Sequence, residues 1–468
     1  MDFHDDGFVS GKKWREFMKN TKKIVLASLI SVFIGLAFPY VNFAIDQTYQ
    51  QLKVIVDVME LIKESYVDEI DSQKLIYGAA AGMVRELDDF SQFMEPEVYT
   101  RVKSDTEGEF GGIGIRVDLR EGWLTVVTPL PNTPAYRAQM YPGDKIIKIE
   151  GESTKDMVID DAIKKLRGVP GTQVKITIAR EPEDKNSDWI NKDITLTREI
   201  IKTENIKSKV IDGKIGYIKA IEFTGHVVED FSKALDGLKK QGIEALVMDL
   251  RYDPGGLLSA AVDISKLFLD NNKMIVYTKG RKPENYQEFR AASQSPYADM
   301  PLVILVNRYS ASASEIVAGA MQDNKRAVII GERTFGKASV QSMIPLSDKS
   351  ALRLTIARYY TPSGRSIHRD EKKGTGGITP DIEVKVSVDS EKKLIQQAEE
   401  FFYPGKEESE AAKKQLEQKN PASGENVVIN PGRDGQDKKK DPVKDEVLDR
   451  AVELLKAREV LGNLKAAK

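Results

Sequence analysis

Three serines, a lysine and a glutamine carry the chemistry this chain can do. Ser310, Ser312 and Ser314 lie in the run Asn307-Arg308-Tyr309-Ser310-Ala311-Ser312-Ala313-Ser314-Glu315, Lys337 follows Gly336, and Gln341 comes four residues later. A hydroxyl at the start of a helix faces unpaired N–H groups that favour developing negative charge. An amine nearby can take the hydroxyl proton, so Ser-Lys chemistry needs no histidine. A free lysine has a pKa near 10.4 and is neutral in only about one molecule in 10³ at pH 7, so Lys337 must be desolvated to act as a base. Phe335, Val340 and the flanking strands are the expected source of that burial. Residue types alone do not separate the three serines.

Rival chemistries have little to stand on. The chain has no cysteine and only three histidines, His4, His226 and His368, which excludes thiolate nucleophiles, disulfides and Cys-ligated metals. Neither His226 nor His368 has a triad-like context. Asp249 and Asp253 are two carboxylates without a third partner, too few for a cation site. No metal and no cofactor are expected. A net charge of −2 over 468 residues gives no global pull toward nucleic acid.

The elements that must position these residues follow from hydrophobic patterning. The β-branched run 302–306 precedes the serine turn, and a helical run follows at 315–322. Strand patterns at 215–218, 246–250, 328–330 and 352–359 alternate with helical ones at 228–238 and 258–269, the signature of a layered α/β domain. Residues 108–199 differ, with short strands expected at 123–127, 174–179 and 194–197 and a helix at 157–166, suggesting a small β-rich module. Residues 47–103 read as helices whose apolar stripe (Leu52, Ile55, Val56, Met59) is core or a dimer face.

The two ends have their own character. Residues 24–45 carry no charge and follow Lys12, Lys13, Arg15, Lys19, Lys22 and Lys23, the pattern of a membrane anchor with a cytoplasmic N-terminus or of a cleaved secretory signal. Residues 404–441 are charged and poor in apolar residues, as in a flexible insertion, and an apolar helical stripe returns at 443–461.

In order along residues 48–385, the chain resembles the C-terminal processing peptidases, or tail-specific proteases, of the S41 type. The resemblance is carried by Gly111-Gly112-Ile113-Gly114-Ile115, Gly143-Asp144, 167–172, Asp249-Leu250-Arg251-Tyr252-Asp253-Pro254-Gly255-Gly256, Ser310 to Glu315, 331–337, Val340-Gln341, 361–365 and 377–381. It implies a multidomain α/β (α+β) fold with a crotonase-like (ClpP/crotonase-type) protease core and an inserted β-rich PDZ domain. The expected order is a basic cytoplasmic segment 1–23, an anchor or signal 24–45, N-terminal helices 47–107 and PDZ 108–200. The core at 201–387, a charged insertion at 388–441 and a C-terminal helix at 442–468 complete it.

The resemblance also assigns roles. It makes Ser312 the nucleophile, leaving Ser314 as a helix N-cap, and makes Lys337 the base and Gln341 its orienting partner through the amide oxygen. The N–H groups of Ala313 and Gly256 form the oxyanion hole. Gly111, Gly112, Ile113, Gly114 and Ile115 form the PDZ loop for a substrate's terminal carboxylate, where glycine would let the backbone approach the ligand. Asp253 and Ala338 depart from the family's commonest wording, Asn and Gly. The expected activity is endopeptidase cleavage of proteins recognised by their C-termini, outside the cytoplasmic membrane, by a single-pass or secreted homo-oligomer. An inactive PDZ scaffold is disfavoured by the intact Ser312, Lys337 and Gln341, and an acyl-CoA enzyme lacks sequence support.

Overall fold

Strands buried on both faces need apolar side chains at every position, and Leu302–Val306 (LVILV) is fully buried along its length. In the computed structural model, which describes residues 50–182, 188–292, 294–370, 372–387, 389–394 and 444–466, this strand is central to a six-stranded sheet. The order is Ile206–Ile211, Ile215–Ala220, Ala245–Asp249, Leu302–Val306, Val328–Gly331 and Ile382–Glu383. The first pair is antiparallel and the rest are parallel.

Alternation along these strands divides the core. Leu246, Met248, Ile304 and Val306 pack with Phe231, Leu235, Ile264, Ile316 and Val317 of the helices Val227–Lys240, Leu258–Lys266 and Ala313–Asp323. Val247, Val303 and Leu305 face the other way, onto Val447, Ala451 and Leu455 of the C-terminal helix Glu446–Ala466. The expected α/β layering is therefore observed, with the C-terminal helix closing the second face.

A second, antiparallel sheet runs Gln92–Met94, Ala351–Tyr360, Met274–Gly280 and Gln287–Arg290, with Ser339–Pro345 also on Ala351–Tyr360. The patterning does not predict Met274–Gly280 or Ser339–Pro345. It also differs at Gln92–Met94, a strand inside the segment expected to be helical, because register with Ala351–Arg353 overrides local preference. The inserted module is a six-stranded sheet, ordered Ile115–Arg120, Trp123–Pro129, Lys145–Ile149, Gln173–Arg180 and Ile190–Thr197, with Glu152–Ser153 on Lys145–Ile149. Its own core includes Leu124, Val126, Ile146, Ile176 and Leu166 of the helix Ile159–Leu166.

Residues 50–87 belong to a separate unit and hold a helix at 50–65 and the helix Ser72–Arg85. Within it, Leu52, Val54, Ile55, Val56, Val58 and Leu61 are exposed. The expected anchor at 24–45 and most of the charged insertion at 388–441 lie outside the described residues. Among the described residues no helix is long and apolar enough to cross a membrane.

Candidate active site

Adjacent parallel strands end side by side, so the loops at their C-terminal ends converge. Three such ends build the site: Ala245–Asp249 leads into Arg251 to Gly256, Leu302–Val306 into the serine turn, and Val328–Gly331 toward Lys337.

The structure separates the three serines. Ser310 is fully buried; its Oγ donates to Leu250 O at 2.8 Å and accepts from Asn307 N at 2.9 Å, tying two loops together. Ser314 is also fully buried, and its Oγ donates to Asp253 O at 3.2 Å. It lies inside the helix and is not the cap expected of it; the N-cap is Ser312. Ser312 is half-buried and has φ 55°, ψ −113°. That left-handed φ in a residue with a side chain costs of order 1–3 kcal/mol and persists only where the surroundings over-determine it.

Glu315 supplies much of that constraint. Its carboxylate is fully buried and accepts from Ser312 N (2.9 Å), Lys337 N (2.9 Å), Gly336 N (2.7 Å) and Thr334 Oγ1 (2.6 Å). Burial pushes this carboxyl up, opposed by those hydrogen bonds. One side chain thus joins the main chains of the expected nucleophile and base. The Ser-x-x-Glu spacing at 312–315 is the sequence signal that marks it.

The Pro254-Gly255-Gly256 loop, expected to help bind an oxyanion, lies against the expected nucleophile Ser312. A Cβ placed on Gly255 (φ +99°) would stand 2.6 Å from Ala311 O, 2.7 Å from Ser312 Cβ and 2.8 Å from Ala313 N, so glycine is required there. The N–H groups of Gly256 and Ala313 donate to no group among the described residues, as an oxyanion site demands.

Lys337 is half-buried, and its amine is lowered from the ordinary lysine value by burial and then by neighbouring Arg353, against the opposing pull of Glu315. The ring packed on it is not Phe335, which is 40% exposed, but Phe90, 4.9 Å from Nζ. Phe90 reaches the site because the neighbouring Gln92–Met94 joins the second sheet. Among the described residues Lys337 Nζ has no hydrogen bond to Ser312 or Gln341, and Gln341 Nε2 donates to Phe90 O instead. His226 sits away from this cluster, its Nε2 2.7 Å from Glu109 Oε1. No group of three His, Asp or Glu residues placed to hold a metal occurs among the described residues.

In the inserted module, Gly111 and Gly112 end the strand Glu109–Gly112, and Ile113 is buried. A Cβ on Gly111 would meet Gly168 O at 2.0 Å, and one on Gly114 (φ +74°) would meet Thr133 at 2.3 Å. These glycines are thus required by close packing within the protein, and not only by approach of a ligand. The N–H groups of Ile113 and Gly114 donate to no group among the described residues.

Residues 214–384 match Peptidase family S41, 125–180 a PDZ domain, and 41–98 the activating protease CtpB N-terminal domain. The carboxy-terminal-processing protease of Bartonella bacilliformis is 41% identical over 342 residues, which cover 72% of this chain and 76% of that one. This chain belongs to the carboxy-terminal-processing proteases of family S41. As a member it is a serine peptidase, with a mixed α/β protease fold carrying a PDZ domain. The family's CtpA of Bacillus subtilis is 34% identical, covering 70% of this chain and 67% of its own. The carboxyl-terminal-processing protease of Synechocystis is 32% identical, covering 79% and 88%. Among solved structures, a photosystem II D1 C-terminal processing protease aligns with 28% identity over 71% of this chain and 92% of that one, TM-score 0.41.

Proposed function

We propose that this processing protease cleaves proteins presented by their C-termini, through an acyl-enzyme on Ser312 with Lys337 as base. Ser312 Oγ attacks the scissile carbonyl carbon while its proton passes to Lys337 Nζ, and Gly256 and Ala313 N–H groups hold the oxyanion. Lys337 then protonates the leaving amine, and water releases the acyl group. The observation that carries this reading is one half-buried, strained serine set against two unused N–H groups, beside a lysine whose amine burial favours as neutral. In the arrangement described, the lysine amine lies over Phe90 and has no hydrogen bond to Ser312, so turnover requires it to turn to Ser312, with the Gln341 amide oxygen accepting from it while Nε2 holds Phe90 O.

The same reading gives the PDZ loop, Gly111 to Ile115, the capture of the substrate's carboxylate through Ile113 and Gly114 N–H, with occupancy coupled to catalysis. It places the catalytic part outside the cytoplasmic membrane, held by residues 24–45 or released if they are cut; their uncharged run behind a basic segment supports this. The exposed apolar side chains at 52–61 support self-association.

The test is digestion of an unstructured protein such as casein by the full chain, read by mass spectrometry. Ser312→Ala and Lys337→Ala should each lose roughly 10³-fold or more in turnover. Full turnover by Lys337→Ala ends the proposal.

A further inference from the structure

Glu315 brackets the main chains of Ser312 and Lys337 from their N–H side; a second buried side chain brackets them from the carbonyl side. The Tyr359 hydroxyl lies 3.0 Å from Ser312 O and also donates to Lys337 O. Tyr359 is only 2% exposed and stands on Ala351–Tyr360, a strand of the second sheet that carries neither residue. Its own N–H donates to Ala338 O at 3.0 Å, which fixes the phenol one residue from Lys337.

The two carbonyls are not equivalent. Ser312 O also accepts from Glu315 N at 2.9 Å and Ile316 N at 3.0 Å, as a helix N-terminus dictates. Lys337 O has no other donor among the described residues, so the phenol is what holds that peptide unit. A phenol buried among carbonyls and beside Glu315 stays protonated, and therefore a donor, across the working pH range.

We propose that Tyr359 is a positioning residue for the dyad, its hydroxyl pinning the Lys337 main chain against the Ser312 turn so that the lysine side chain swings from a fixed root. The second sheet thereby sets the nucleophile-to-base distance, although neither partner belongs to it. A base displaced by about 1 Å loses on the order of 10²-fold in rate, so one oxygen here has kinetic weight. This inference rests on the Ser312–Lys337 mechanism proposed above.

Tyr359→Phe removes one oxygen and keeps the ring. With the full chain, kcat and the first-turnover acylation rate should fall about 10- to 100-fold while KM changes less than about 2-fold. 4-Aminophenylalanine at position 359, which restores an N–H donor, should recover most of the loss. A structural role alone would lower the melting temperature and leave kcat per folded molecule unchanged. Wild-type kcat in Tyr359→Phe, with Lys337→Ala inactive, overturns this inference and leaves the dyad standing; an active Lys337→Ala overturns the dyad itself. Should Tyr359→Phe not fold, the aminophenylalanine protein decides alone: kcat near wild type supports the donor role, and kcat lost by 10-fold or more in folded protein overturns it.

Discussion

Asp253 is a carboxyl at a point in the 251–256 loop that is shut off from solvent. Its side chain is fully buried; Oδ1 accepts from Gly255 N at 2.9 Å, and Oδ2 has no partner among the described residues. Burial pushes it up to about 8, against the lowering pull of Gly255 N–H and Ser314. Its ordinary value is 3.8, so between pH 4 and pH 8 the folded chain binds a proton that the unfolded chain has released. Stability then falls as pH rises through that window, by up to about 1.4 kcal/mol per pH unit where only the folded form holds the proton. Asp253→Asn keeps the acceptor and removes the titration. Urea melts at pH 5 and pH 7.5 should show the wild type losing clearly more stability than Asp253→Asn, and equal losses refute the assignment. At this scale, much of the site was legible. Ser312 and Lys337 are picked out by ordered motifs, but the ring packed on the lysine is the half-buried Phe90 and not the flanking Phe335 expected to bury it. Its identity did not follow, because Phe90 lies far away in sequence and arrives only through strand pairing. Tyr359 was hidden for the same reason. Glu315 was visible as a helix-start pattern, yet its second attachment, to Lys337, is tertiary.

A buried ion cluster fastens the start of the C-terminal helix to the loop that follows Ala245–Asp249. Asp249 is fully buried, accepts from Tyr217 Oη at 2.7 Å and pairs with Arg251 at 2.7 Å. Burial pushes the Asp249 carboxyl up, but Arg251 and Lys219 more than cancel this and hold it well below the usual carboxylate range. Arg251 also donates through Nη1 and Nη2 to both oxygens of Asp445, each at 2.8 Å, just before Glu446–Ala466 begins. The Arg251 and Asp445 side chains are 11% and 19% exposed, so solvent screens them little. Asp445→Ala leaves part of a buried guanidinium unpaired and should cost about 3 kcal/mol in denaturant unfolding; a cost below about 0.5 kcal/mol means the pair is idle. Legibility at this scale followed burial. The central parallel strands Ala245–Asp249 and Leu302–Val306 announce themselves as nearly continuous apolar runs, and Val447, Ala451 and Leu455 recur at helical spacing. Ser339–Pro345 does not, since partial exposure gives it a mixed pattern that only pairing with Ala351–Tyr360 resolves.

Across the larger unit, the ribbon of Glu109–Gly112 and Glu199–Lys202 joins the PDZ domain to the protease. At its base Thr203 Oγ1 donates to Gly108 O at 3.1 Å, and Asn205 Nδ2 donates to Thr203 Oγ1 at 2.9 Å and Thr224 Oγ1 at 2.8 Å. Thr224 follows Phe223, whose N–H donates to Gly255 O at 2.7 Å and whose carbonyl accepts from Leu257 N at 2.7 Å. The base of the ribbon that carries the PDZ domain is thus hydrogen-bonded, through one turn, to both sides of the Gly255-Gly256 loop. These hydrogen bonds form a continuous path from Gly108 to Gly255 through the main chain of the core residue Phe223. Contiguity of this kind becomes coupling only when one site changes the other's free energy, typically by about 1–3 kcal/mol, or 5- to 150-fold. Matched substrates ending in a carboxylate or an amide measure it. The amide should raise KM, through loss of the proposed contacts to Ile113 and Gly114 N–H, and should also lower kcat at least about 5-fold if the ribbon transmits occupancy. Asn205→Ala should keep the KM difference and erase the kcat difference. Equal kcat for acid and amide in the wild-type protein would show that the PDZ domain captures the tail without adjusting the oxyanion loop.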